Sequence, residues 1–144
     1  MIASGDVDMN TVSAWFLRLA ALSGVGAMGV GIAMAMSGDH SQVPVHVHLN
    51  TLGWLSMTLF GLVYHVVPDM AWGRLPRWHL GASATGLALM LPALVMIGMG
   101  QHEKVGPLAG AGAMLTILGM ALFAVQVFRA TSSARRAAAL PAAE

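Results

Sequence analysis

His46 and His48, two residues apart in HVHLNTLGWLSMTLFGLVYHVVP, are the side chains of this sequence best placed for chemistry. They open an apolar stretch of membrane-spanning length, where an ionisable group costs free energy and is usually kept for a function. An α-helix turns about 100° per residue, so the two imidazoles point roughly 200° apart. From a regular helix they cannot chelate one metal ion, and each must serve a different neighbour. Asn50, Gly53, Met57, Gly61 and Tyr64 continue the His46 face, a narrow strip whose glycines admit a planar macrocycle edge-on. Leu52, Leu55 and Leu59 continue the His48 face, a greasy wall suited to the other side of a porphyrin or to a neighbouring helix. In the plainer alternative both histidines sit at the membrane surface, bonded to water or backbone carbonyls.

A second axial ligand is not evident within one copy. His65 is 17 residues beyond His48, about 25 Å along a helix, and belongs to the opposite membrane face. It reads as a boundary residue, whereas His79 and His102 read as solvated or capping. His40 lies in a loop. The partner is therefore a histidine of a neighbouring copy, or a methionine from Met34, Met36, Met96 and Met99. These methionines, with His40, His46, His48 and His102, gather soft ligands at one end of the molecule, which also suits copper(I). Copper thus stands as the alternative to haem.

The elements that must position these residues are membrane helices. The chain has 144 residues, 57% hydrophobic and 9% charged, with mean hydropathy +0.73; soluble domains carry about 25% charged residues. Asp, Glu, Lys and Arg are absent from 43–67, 78–100 and 105–128, and 11–36 holds only Arg18. Each stretch is long enough for a hydrocarbon core of about 30 Å. The fold expected is all-α, an integral membrane four-helix bundle forming a single domain over 1–144. Its helices fall at approximately 11–36, 43–67, 78–100 and 105–129, followed by a frayed, basic, Ala-rich tail over 130–144. The N-terminus, MIASGDVDMN, lacks the basic region of a signal peptide, so the first helix is expected to be retained.

Cysteine is absent, which excludes disulfides, thiolate metal sites, iron–sulfur clusters and the covalent attachment of a c-type haem. Nothing in the sequence suggests a nucleic-acid module. Arg74 and Arg77 in the central loop, and Arg129, Arg135 and Arg136 near the C-terminus, place that loop and both termini in the cytoplasm by the positive-inside rule. Arg18 snorkels to the same surface. Trp15, Tyr64, Trp72 and Trp78 read as the aromatic belt of that boundary, with Trp54 lying deeper. Pro92 is expected to kink the third helix. Ser23, Ala27 and Gly31, and separately Gly106 and Gly110, form small-residue stripes for close helix packing.

The segment HVHLNTLGWLSMTLFGLVYHVVP resembles the tenth transmembrane helix of the haem–copper oxidase catalytic subunit, most closely its C-type (cbb) branch. His46, His48, Gly53, Trp54, Gly61, Tyr64 and Pro68 carry the likeness, and DMAWGRLPRWHLGASATGLALM is similar in character to the loop and next helix of that family. Related histidine patterns occur in nitric oxide reductases and NnrS-like membrane haem proteins. The resemblance implies that His46 and His48 ligate two different haems, His46 the high-spin and His48 the low-spin one; from the helical face below His46, Asn50, Gly53 and Met57 are expected to line the cofactor. It implies haem b, an oxidoreductase-like role in electron transfer or nitric oxide and oxygen binding, and the inner (cytoplasmic) membrane. Equivalents of the family's copper-binding histidines, of its oxygen-chemistry tyrosine and of the second low-spin ligand are not recognisable, so oxygen reduction by this chain alone is not expected. The family's twelve helices form three arcs of four. This chain resembles one arc, and a homotrimer would rebuild the ring, His46 of one copy and His48 of the next sharing a haem.

Overall fold

The structure is a computed structural model that describes residues 10–138, without the side chains of Lys104 and 133–138. The chain is all-α, and the described residues include no strand. Helix α1 (Thr11–Ser37) is followed by α2 (Val43–His48), a π-helical segment (Leu49–Ser56) and α3 (Met57–Val66), which together make one rod. A 3-10 turn (Pro68–Ala71) leads into α4 (Leu75–Gly98) and then α5 (His102–Ala138). Three helices, α1, α4 and α5, are each long and apolar enough to cross a membrane. The second rod joins pieces of 6, 8 and 10 residues; at 1.5 Å per α-helical residue its reach is comparable to theirs.

Asn10 starts α1, its side chain accepting from the Ser13 N–H, and Gly38 stops it at φ 68°, returning its N–H to the Met34 carbonyl. Pro44 and Pro76 occupy the first turns of α2 and α4, where no intrahelical N–H bond is lost. Helix α4 runs through Pro92, which withholds one N–H from the ladder. Helix α5 continues to Ala138 rather than ending at 129. Alanine favours that extension, and Thr131 caps the Val127 carbonyl with its hydroxyl at 2.9 Å. Residues 139–144 of the expected tail, and 1–9 of the N-terminal segment, lie outside the described residues.

The second rod departs from the regular helix expected. Over Leu49–Ser56 the backbone widens to a π-helix, in which N–H groups reach five residues back rather than four. Hydroxyls support the altered ladder: Thr51 donates to the Val47 carbonyl at 2.8 Å, Ser56 to Thr51 at 2.7 Å and Thr58 to Trp54 at 2.6 Å. The π segment begins just after the histidine pair. His46 and His48 themselves lie on the α-helical turn, where the angular argument applies.

The helices pack as two hairpins, α1 against the second rod and α4 against α5. The Ser23–Ala27–Gly31 stripe lies in the first seam: a Cβ on Gly53 would fall 2.6 Å from Ser23, and one on Gly31 would fall 2.9 Å from the His46 ring. In the second seam the close approach is made by Gly86, Gly112 and Gly119, against Thr116, Met90 and Ser83. Gly106 and Gly110, expected there, meet nothing within 4 Å; they fall outside the crossing. Between the hairpins the joints are few. Gln42 donates to the Val95 carbonyl at 3.4 Å near one end, and a core of aromatic rings binds all four rods near the other.

Candidate ligand-binding site

His46 is half-buried and faces α1. Its Nδ1 lies 2.8 Å from the Ala27 carbonyl oxygen. A carbonyl only accepts, so Nδ1 carries the proton and Nε2 keeps its lone pair. Glycine at position 31 leaves space for the ring against the α1 backbone. Asn50, one turn along the rod, donates to the His46 carbonyl at 2.9 Å and lies 3.3 Å from Nε2 through the same amide nitrogen. The amide thus donates to Nε2, the one ring atom with a lone pair.

His48 is also half-buried but turns away from α1. Its Nδ1 lies 2.7 Å from the Pro44 carbonyl oxygen on its own helix, which again leaves Nε2 as the atom with a lone pair. No hydrogen bond engages that Nε2 among the described residues. The leucine face expected below His48 is not kept through the π segment: Leu55 and Leu59 are 48% and 52% exposed, whereas Leu52 packs against the buried core. The two imidazoles therefore serve different neighbours, one bonded to α1 and one to its own helix.

Both rings share the geometry expected of neutral metal-binding histidines, with Nδ1–H held by a backbone carbonyl and Nε2 presented. This is the donor chemistry of an axial haem ligand. Gly53 is buried against Ser23 of α1, and Met57 is buried in the hydrophobic core. The close approach their face permits is used here by Ser23 and, at Gly61, by Leu17. Met36 and Met99 are 84% and 65% exposed, His40 bonds its own loop at the Gly38 carbonyl, and no group of three or more His, Asp or Glu able to hold a metal ion occurs among the described residues.

Sequence comparison points the same way as the histidine pair. The chain is similar to cytochrome c oxidase subunit 1. It is 28% identical over 100 residues to that subunit of Rhodobacter capsulatus, covering 65% of this chain and 18% of the relative. It is 29% identical over 98 residues to the bacteroid homolog of Bradyrhizobium diazoefficiens, covering 63% and 18%. With the homolog of Agrobacterium tumefaciens it shares 32% over 63 residues, covering 39% and 12%. The chain thus spans less than a fifth of these oxidase subunits. No family model and no solved structure matches it.

A second polar cluster lies at the far end of the bundle from the histidine pair. His79 does not sit in solvent or cap α4; it is 0% exposed, as is Tyr64, which leaves the aromatic belt to Trp15, Trp72 and Trp78. The Tyr64 oxygen lies 2.8 Å from His79 Nδ1 and also accepts from the Gln126 side-chain amide on α5. Among the described residues His79 Nδ1 is the one acceptor within reach of the Tyr64 proton, so Tyr64 donates to it and the proton of neutral His79 sits on Nε2. That Nε2 is buried without a hydrogen-bond partner, its ring 4.5–5.4 Å from those of Phe16, Phe60 and Phe123. The available signal was Gln126, a polar residue deep in an apolar span, which must find a buried partner.

Proposed function

We propose that this chain is a membrane haem protein that holds haem b through Nε2 of His46 and His48 and serves electron transfer or the binding of a diatomic gas. The observation that carries this reading is the shared fixing of both Nδ1 atoms on backbone carbonyls. That arrangement orients each ring and raises the basicity of the nitrogen left over. The similarity to cytochrome c oxidase subunit 1, over a region that includes membrane helices, supports haem as the occupant.

Bound iron porphyrin supplies reversible one-electron chemistry or, with an open position, a gas-binding site. The chain's own residues do the rest. Ala27 and Pro44 fix the imidazoles through their carbonyls. Asn50 positions His46 by holding its backbone carbonyl and yields Nε2 by rotating its amide. Gly31 and Gly53 act by letting α1 sit close enough for the Ala27 contact, and Met57 fills the core beyond them.

The open His48 face supports assembly with further copies of the chain, a homotrimer being the arrangement that repeats a four-helix arc three times. Arg74, Arg77 and Arg129 support a cytoplasmic position for the central loop and both termini, in the inner membrane.

The absorption spectrum of detergent-purified protein tests the reading. It predicts a Soret band and a pyridine haemochrome of b type. Stoichiometric copper with no Soret absorption would overturn it in favour of a copper-handling protein.

A further inference from the structure

At the membrane boundary formed by the starts of α1 and α4 lies a pocket of about 610 Å³, lined by Thr11, Val12, Trp15, Trp72, Arg77 and Leu80 among others. Its size falls within the roughly 300–1,000 Å³ of small-ligand sites. It is separate from the histidine pair. We propose that this pocket binds the headgroup of an anionic glycerophospholipid, with the phosphodiester on Arg77 and the glycerol region between Trp15 and Trp72.

Three features select that ligand. Arg77 is the one charged residue among the described residues lining the pocket, and no ion pair engages it among them, so the site favours a net anion over a zwitterion. Arginine matches phosphate oxygens with a planar fork of donors. Trp15, near the start of α1, and Trp72, in the connection that leads into α4, are 48% and 79% exposed, the depth at which indole rings meet lipid headgroups. Beside the polar Asn10 and Thr11, the wall has an apolar stretch of Val12, Ala71 and Leu80 that suits the start of an acyl chain rather than a free, fully hydrated anion. Helix α4 adds to the field, because its N-terminus has no side-chain cap and Pro76 occupies its first turn.

Native mass spectrometry of the full chain in detergent, titrated with phosphatidylglycerol, tests the site. One lipid should be retained, with binding about fivefold weaker in Arg77→Gln, the effect expected of one cation near a lipid phosphate. Trp72→Ala should also weaken it, whereas Arg74→Gln, outside the pocket lining, should not. Phosphatidylcholine should bind the parent and Arg77→Gln alike. Matching thermal melts of the variants exclude unfolding as the cause. Equal retention by parent and Arg77→Gln overturns the proposal, as does equal loss in Arg74→Gln. Displacement of the lipid by inorganic phosphate assigns the site to a free anion instead.

Discussion

The Tyr64 hydroxyl lies 2.8 Å from His79 Nδ1 and joins the two helical hairpins at their cores. With Gln126 it forms a chain of three polar groups, one from each of α3, α4 and α5, inside a wall of phenylalanine rings. A membrane protein gains little from the hydrophobic effect between its helices, so interhelical hydrogen bonds and packing decide association. Few other contacts span the hairpins. The pin therefore fixes how one hairpin faces the other.

Removing its central hydroxyl should be costly. Tyr64→Phe leaves the His79 Nδ1 acceptor and the Gln126 donor unpaired in an apolar core, a loss of about 1–3 kcal/mol. Gln126→Leu should cost less after Tyr64→Phe than before it. A double-mutant cycle in detergent-denaturation stability measures that coupling; strict additivity would mean that the hydrogen bonds contribute nothing jointly.

The glycine beneath His46 makes a second prediction. Gly31→Ala places a methyl 2.9 Å from the ring, forcing the imidazole off the Ala27 carbonyl at a cost of about 1–3 kcal/mol. Gly29→Ala, which meets nothing within 4 Å, should be neutral or slightly stabilising. Stability measured for the pair distinguishes a seam that depends on close approach from general intolerance of side chains on α1.

The range of each signal decides how much of this was legible in the sequence. The charge-free stretches marked the helical membrane architecture because apolar length is a local property. The opposed faces of His46 and His48 came from helical pitch and hold because α2 is regular there. The π-helical segment was not legible: Thr51, Ser56 and Thr58 look like ordinary surface hydroxyls until the backbone they cap is seen. His79 was misread because Arg74, Pro76 and Arg77 mark a helix start at a membrane boundary. Its burial comes from Phe16, Phe60 and Phe123, on three other rods, and no local pattern records that. Tyr64 was misplaced for the same reason.

The loop between α1 and α2 provides a pH test. The Ser41 backbone N–H, then its hydroxyl, bond the Asp39 carboxylate at 2.8 and 3.1 Å and hold its pKa below the ordinary 3.8. A depressed carboxylate stabilises the folded loop above the unfolded value, and that contribution is lost as pH falls through the folded one. Carboxyl NMR should show Asp39 titrating below 3.8 in the parent and moving back toward that value in Ser41→Ala. An unchanged midpoint would remove the hydroxyl as a cause and leave the Ser41 backbone N–H, which Ser41→Ala keeps, as the one that holds the value down.

The central claim is that His46 and His48 present Nε2 to haem iron, and the ferric and ferrous absorption spectra of His46→Ala, His48→Ala and the double variant test it most directly. Each single variant should lose Soret intensity or shift to a high-spin spectrum, and the double variant should carry no haem while keeping its helical content. A double variant with the parent's full Soret band and unaltered spin state would contradict the account.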